Sequence, residues 1–437
     1  MRLRVRPARH LEGAVEVPGD KSVSHRAALL GAIAAGRTEI TGYLEGDDCL
    51  RTLKAVAMLG AVVTKKGAGH YLVDGVGREG FREPDDVIDY GNSGTGARLL
   101  LGVLAGQPFW TFMTGDASLR SRPMKRVTGP LASMGARFVG RLDGDRLPLG
   151  VRGARPLKSI AYDSPVASAQ IKTAILLAAL WADGPVSVTE PLRSRDHTER
   201  MLGGFGAELR VSGLTVTLAP GAALKGQSLA VPGDVSSASF LLVAGTLARD
   251  GRVTVTHAGT NPTRSGLLDV LAAMGAPVVR ERESAAAGEP VADLTARAAP
   301  LRGITVEGEI IPRLIDEAPI LAVAACAASG RTRLAGAAEL RVKESDRIRT
   351  IVAELGRMGA RITEAPDGFE VEGPTRLKGA TVSSGGDHRM AMALAVAGLG
   401  ADGETVVEDA DCINTSYPGF AAALNRLAGS PCVEELP

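Results

Sequence analysis

Polar and apolar positions along this chain fall into one pattern that returns several times. VPGDKSVSHRAALLGAIA, from Val17, and VPGDVSSASFLLVAGTLA, from Val231, each pass from Pro-Gly-Asp into a Ser-capped run rich in Ala and Leu. Each run predicts a helix, and each is followed by Gly and a short alternating strand, GRTEITG from Gly36 and GRVTVTH from Gly251. A second helix then ends in Leu59-Gly60-Ala61 or Met274-Gly275-Ala276.

The same grammar recurs with first helices near Ser93, Ser168, Asp316 and Asp387, giving six copies. Strands FWTFMTG from Phe109, VSVTE from Val186, TRLAG from Thr332 and ETVVED from Glu404 follow them. Second helices close at Met134-Gly135, Phe205-Gly206, Met358-Gly359 and, more loosely, Leu427-Ala428. The period of about 70 to 80 residues suits a β-α-β-α-β-β unit. Asp20/Ser22, Ser93/Thr95, Ser164/Ser168, Asp234/Ser236, Asp316 and Asp387 are the expected helix caps.

The shared Val-Pro-Gly-Asp divides the chain into two sets of three units. The expected domains are residues 20–234 and residues 1–19 with 235–437, the N-terminal strand returning to the second set. Two crossings, near Gly19 and Gly233, predict a hinge beside a ligand cleft. If all six first helices aim their N-termini there, their dipoles sum to roughly three positive charges. ERESAAAGEPVAD, from Glu281, reads as a polar surface turn with a hairpin on either side.

Composition narrows the class. With 437 residues, 45% hydrophobic and 23% charged, the chain is expected to be a soluble protein of two or three domains. A net charge of +1 and 3% aromatic residues argue against a nucleic-acid partner. Cys49, Cys326, Cys412 and Cys432 lie far apart, which argues against structural zinc or a disulfide framework. MRLRVRPARH lacks the apolar run of a signal peptide, and no stretch is long enough to span a bilayer. The expectation is therefore a cytoplasmic chain with no membrane partner and no metal or other cofactor.

The unusual side chains fall at first-helix starts and second-helix loops. They are Lys21, Ser22 and Arg26; Asn92 to Thr95 in GNSGTGAR; Arg122 in SRPMKR; Ser168 and Gln170; Arg195 in SRDHTER; Asp316 in LIDEAP; Lys343, Glu344 and Arg347 in RVKESDR; and His388 and Arg389. Singly, each has a plain explanation as a solvated charge, a cap or a structural histidine. Jointly they differ between copies in corresponding places, as a binding site shared by the copies requires. A purely structural repeat would converge on one best cap.

VPGDKSVSHR, GNSGTGAR, SRPMKR, SPVASAQIK, LIDEAPIL, VKESDR and GGDHRMAM resemble, in order and spacing, the motifs of the 5-enolpyruvylshikimate-3-phosphate synthases. The resemblance covers essentially the whole chain. It implies an α/β, two-domain enolpyruvyl transferase fold of six βαβαββ repeats, three per domain, as an inside-out α/β barrel. It also implies a monomer that transfers the enolpyruvyl group of phosphoenolpyruvate to shikimate 3-phosphate. By similarity, Lys21, Ser22, Arg26, Ser168, Ala169, Gln170, Arg195, Asp316 and Lys343 bind shikimate 3-phosphate. Ala169 stands where relatives often carry a second Ser. Lys21, Gly94, Arg122, Gln170, Arg347 and Arg389 resemble the phosphoenolpyruvate site, with Asp316, Glu344 and Lys21 catalytic.

The two substrates carry roughly six negative charges, a phosphate monoester holding about two. Lys21, Arg26, Arg122, Lys343, Arg347 and Arg389 are expected to match them. One departure is NTSYP, which offers Asn414, Thr415 and Ser416 where many relatives place a Lys. The sister enzyme acting on UDP-N-acetylglucosamine carries a reactive Cys five residues before an Arg-Pro pair; Ala117 holds that place before Arg122-Pro123. A non-catalytic scaffold would account for the cations but not for Asp316 and Glu344 among them.

Overall fold

The structure is a computed structural model, and it describes all 437 residues. The chain divides into two compact units. One comprises Met1–Pro18, Pro232–Ala285 and Pro290–Pro437; the other comprises Gly19–Val231 with Ala286–Glu289.

Each unit holds three four-stranded sheets of one topology. In the unit built on Gly19–Val231 the first sheet runs Ser228–Ala230, Ala35–Thr41, His70–Val76, Val62–Gly67. The second runs Ile88–Asp89, Trp110–Thr114, Arg146–Arg152, Arg137–Gly140, and the third Ala161–Asp163, Val186–Thr189, Thr215–Leu218, Leu209–Ser212. In the other unit the orders are Val279–Ala286, Glu289–Arg297, Arg252–Gly259, Glu12–Glu16; then Thr305–Val306, Gly330–Leu334, Gly368–Gly373, Ile362–Ala365; then Thr381–Ser383, Thr405–Glu408, Arg2–Val5, Val433–Leu436. In all six sheets one parallel pair is joined to an antiparallel third strand. This is the βαβαββ unit read from the sequence, six times over.

The first strands of two repeats are exchanged. Glu12–Glu16 precedes helix Lys21–Ile33 but pairs with Arg252–Gly259, while Ser228–Ala230 precedes helix Val235–Leu247 but pairs with Ala35–Thr41. The unit built on Gly19–Val231 therefore closes its three sheets from one stretch of chain, whereas the other takes in the N-terminal segment Met1–Pro18. Glycine is obligatory near the first crossing: a Cβ on Gly19 would lie 1.9 Å from the Gly42 carbonyl oxygen.

Three central helices run through each unit: Lys21–Ile33, Gly94–Leu104 and Ala169–Ala179 in one, Val235–Leu247, Ala318–Ala327 and His388–Gly400 in the other. They are buried along almost their whole length, which explains an Ala, Leu and Gly composition without a polar face. Small residues allow close approach: a Cβ on Gly102 would sit 2.2 Å from the Ala174 carbonyl oxygen of the neighbouring helix. Each unit has its own apolar core.

Four caps are as expected. Asp20 accepts from the Val23 amide at 2.9 Å, Ser93 from Gly96 at 3.4 Å, Asp234 from Ser236 at 2.8 Å and Asp387 from Arg389 at 2.9 Å. Two are not. Ser168 occupies the cap position without a side-chain bond, and its own amide donates to Glu190 instead. Asp316 lies in a 3-10 turn ahead of helix Ala318–Ala327, because its carboxylate is claimed by cations. The turn read at Glu281 also differs. It is the hairpin Val279–Ala286 and Glu289–Arg297, and Glu289 is buried at its tip against His197.

Candidate active site

In the unit built on Gly19–Val231, helix N-termini bring the polar groups to the ends of the buried bundle. Lys21 opens its helix directly after the Asp20 cap, and its Nζ lies 3.2 Å from Asp48 Oδ2. Ser22 is buried in the same turn, and its carbonyl accepts from Arg26 Nη1 at 2.9 Å. The other Arg26 nitrogens donate to Thr198 Oγ1 at 2.8 Å and Thr173 Oγ1 at 2.7 Å. Burial lowers the Arg26 pKa to about 10, while Glu199, Asp20 and Glu289 pull the other way.

A second group gathers around Gly94. Arg122 donates to the Asn92 side chain, to its carbonyl at 3.4 Å and to Ser118 Oγ at 3.0 Å. Arg98 Nη1 donates to Gln170 Oε1 at 2.8 Å, and Gln170 Nε2 donates to Thr95 Oγ1 at 3.0 Å. A Cβ built on Gly94 would stand 3.1 Å from an Arg122 nitrogen and 3.2 Å from an Arg98 nitrogen. The glycine thus gives two guanidinium groups access to one spot, a suitable cradle for an oxyanion. Ser168, Ala169 and Gln170 form one helix start, and Arg195 lies just before helix His197–Gly204.

The other unit carries the carboxylates that the sequence motifs single out, Asp316 and Glu344. Arg347 is 1% exposed and reaches three acids at once: Nη1 to Asp316 Oδ1 at 3.0 Å, Nη2 to Glu344 Oε2 at 2.7 Å and Nε to Asp387 Oδ2 at 2.7 Å. Those acids raise its pKa against the opposing effect of burial. Lys343 Nζ lies 3.4 Å from Asp316 Oδ1, and Arg389 reaches Asp316 Oδ2 at 3.7 Å and Glu317 Oε1 at 3.4 Å. The sequence distances are bridged by local geometry. Arg347 opens helix Arg347–Arg357, three residues after Glu344, and Asp387 caps the helix that begins His388-Arg389.

The structure corrects the expected charge balance. Lys343, Arg347 and Arg389 share their surroundings with Asp316, Glu317, Glu344 and Asp387, so acids outnumber bases there before any ligand is counted. Lys21 likewise has Asp48. A buried cation without a counter-charge is costly, so these side chains are compensated from within the protein.

Sequence reading passed over Arg98, Asp48, Glu317 and the second role of Asp387. Arg98 had a signal, standing four residues after Gly94 and hence one helical turn along the same face. Asp387 was read as a cap only, yet its carboxylate serves both the Arg389 amide and Arg347. Two histidines of the sequence motifs find polar partners. His25 Nδ1 faces Thr52 Oγ1 at 2.8 Å, and His197 Nδ1 faces Glu289 Oε1 at 2.9 Å. NTSYP supplies no cation; Thr415 Oγ1 donates to the Cys412 carbonyl at 2.8 Å. All four cysteines are free thiols. No group of three His, Cys, Asp or Glu side chains is placed to hold a metal ion, and no helix is long and apolar enough to cross a membrane.

Comparisons with known proteins agree with this arrangement. A family profile described as EPSP synthase (3-phosphoshikimate 1-carboxyvinyltransferase) matches residues 5–424. The chain is 55% identical over 424 residues to the 3-phosphoshikimate 1-carboxyvinyltransferase of Gloeobacter violaceus, covering 97% of this chain and 98% of that protein. It is 51% identical over 427 residues to that of Desulforudis audaxviator, covering 98% and 99%. Among solved structures, the EPSP synthase of Acinetobacter baumannii superposes with a TM-score of 0.88 at 42% identity, covering 99% of both chains. NikO, an enolpyruvyl transferase of Streptomyces tendae, shares the fold at a TM-score of 0.80 and 18% identity. Six βαβαββ units with their polar groups at helix starts, and relatives matched over nearly their full length, place this chain in the EPSP synthase family.

Proposed function

We propose that this chain transfers the enolpyruvyl group of phosphoenolpyruvate to the 5-hydroxyl of shikimate 3-phosphate, releasing phosphate on the way to chorismate. The observation that carries the reading is that adjacent nitrogens of one guanidinium, Arg347, hold Asp316 and Glu344. The reaction needs two carboxyl groups with opposite tasks close to one reacting centre.

Glu344 delivers a proton to the methylene carbon of phosphoenolpyruvate, which leaves C2 cationic. The 5-hydroxyl of shikimate 3-phosphate attacks C2 as Asp316 takes its proton, and a tetrahedral adduct results. Return of a methyl proton to Glu344 and cleavage of the bond between C2 and the phosphate oxygen, the departing phosphate taking up the proton held by Asp316, then give the enol ether and phosphate. Lys21 stabilises charge on the donor. Ser22, Arg26, Ser168, Ala169, Gln170, Arg195, Asp316 and Lys343 hold shikimate 3-phosphate; Gly94, Arg122, Gln170, Arg347 and Arg389 hold phosphoenolpyruvate with Lys21. Ligand anions exchange with internal carboxylates as partners of these cations, which keeps the desolvation cost modest. In this reading the chain acts as a cytoplasmic monomer, with no nucleic-acid partner and no cofactor.

The test is phosphate release with both substrates and with each omitted. Release that requires both, with a product heavier than shikimate 3-phosphate by an enolpyruvyl group, is the expected result. Release from phosphoenolpyruvate alone, or none with both, overturns the reading. Because Gly94 leaves space beside Arg98 and Arg122, glyphosate is expected to inhibit in competition with phosphoenolpyruvate. Turnover unaffected by glyphosate in large excess over phosphoenolpyruvate contradicts that assignment.

A further inference from the structure

The segment Arg195-Asp-His-Thr-Glu-Arg200 is only partly used by the site described above. Each of its later residues has its own partner. Asp196 pairs with Arg200 at 2.9 Å, His197 with Glu289, and Thr198 with Arg26. Glu199 Oε1 lies 2.7 Å from Lys172 Nζ, which also meets Glu190 Oε2 at 2.8 Å. The Lys172 and Glu190 side chains are each 3% exposed and that of Glu199 is 10% exposed.

This is an unusual place for two acids and one lysine. A buried ion pair gives little net stability against an apolar substitute, so its retention calls for a geometric reason. Glu190 supplies one. Its Oε1 accepts the Ser168 amide at 3.0 Å and its Oε2 faces the Ser194 amide at 3.4 Å. Ser168 begins the helix start that carries Ala169 and Gln170, and Ser194 immediately precedes Arg195. One carboxylate therefore ties together two loops, each bearing residues assigned above to shikimate 3-phosphate. Lys172 keeps that carboxylate in place from the next turn of the helix. Glu199 connects to a third element, since its neighbour Thr198 accepts from Arg26 and shares a 2.5 Å hydrogen bond with Thr173.

We propose that Glu190, fixed by Lys172, is a positioning residue for shikimate 3-phosphate, setting the spacing of the Ser168–Gln170 and Arg195 loops without touching the ligand. The proposal rests on the assignment of those loops to shikimate 3-phosphate.

Glu190→Gln is the informative variant. It leaves Lys172 paired with Glu199, so no buried cation is stripped of its counter-charge, but its one acceptor oxygen cannot take the place of both carboxylate oxygens that receive the Ser168 and Ser194 amides. Binding of shikimate 3-phosphate alone is measured by calorimetry, with steady-state KM for both substrates. The expected result is weaker shikimate 3-phosphate binding and a higher KM for it, by about tenfold (one such factor being ~1.4 kcal/mol), with the KM for phosphoenolpyruvate within about twofold. Glu190→Asp, which keeps the charge but withdraws it by one methylene, is expected to show the same split at smaller size. It also serves as the test should the Gln variant not fold. Glu199→Gln leaves the Glu190 tie intact and is expected to bind within about threefold of wild type. Unchanged shikimate 3-phosphate affinity with a lowered Tm, an equal rise in both KM values, or an effect of Glu199→Gln as large as that of Glu190→Gln overturns the proposal. Failure of the wild-type chain to bind shikimate 3-phosphate is a separate outcome, sinking the assignment of the loops and the proposal with it.

Discussion

At the scale of residues, the chemistry lies in how charge is held before ligands arrive. Asp316 is the clearest case. As a residue type at a helix start it reads as a cap, but it lies within a 3-10 turn and faces Arg347, Lys343 and Arg389. Motif position marked it as important, whereas its partners were not legible because they come from residues distant along the chain. His25 shows the same limit. Its motif, KSVSHR, was legible and its burial was not. Burial, with Lys21 and Arg26 nearby, pushes the His25 pKa well below 6.5. Below about pH 6.5 the unfolded chain binds a proton that the folded chain refuses. His25 therefore erodes stability as pH falls from there toward its depressed folded value, by up to about 1.4 kcal/mol per pH unit, and has no such effect above it. Urea unfolding between pH 5 and 8 is expected to show a shallower acid-side loss in His25→Gln than in wild type. Identical slopes contradict a buried, neutral His25.

At the scale of elements, most of the repeat was legible because each copy writes the same helix and strand signals in the same order. The return of the N-terminal strand to the second set was legible, but the pairing of Glu12–Glu16 with Arg252–Gly259 and of Ser228–Ala230 with Ala35–Thr41 was not. Local pattern says that a strand exists; its pairing partner is set by non-local hydrogen bonding. Composition was a better guide to packing. Glycine within the central helices marks close packing, and Gly102 against the Ala174 backbone is the tightest case. Gly102→Ala is expected to cost about 1–3 kcal/mol, since the obstacle is a carbonyl oxygen and not a side chain that can turn away. The predicted readout is a Tm lower by several degrees, with substrate KM values near wild type. A Tm equal to or above that of wild type contradicts the packing described.

At the scale of the whole molecule, the chain distributes one proposed reaction over two residue sets. Lys21, Arg26, Gly94, Arg122, Ser168, Gln170 and Arg195 belong to one unit; Asp316, Lys343, Glu344, Arg347 and Arg389 belong to the other. A repeat fold suits this division of labour, because identical scaffolds present different side chains at corresponding helix starts. The expected six-fold positive charge did not survive, as internal carboxylates already balance much of it. The physical cause is desolvation, which sequence motifs do not record. The most direct test of the central claim is single-turnover phosphate release with both substrates in wild type, Asp316→Asn and Glu344→Gln, each checked for an unchanged fold. The account predicts a loss of at least about a hundredfold in each variant, the scale of a missing general acid or base. Rates within a few-fold of wild type in both would contradict it.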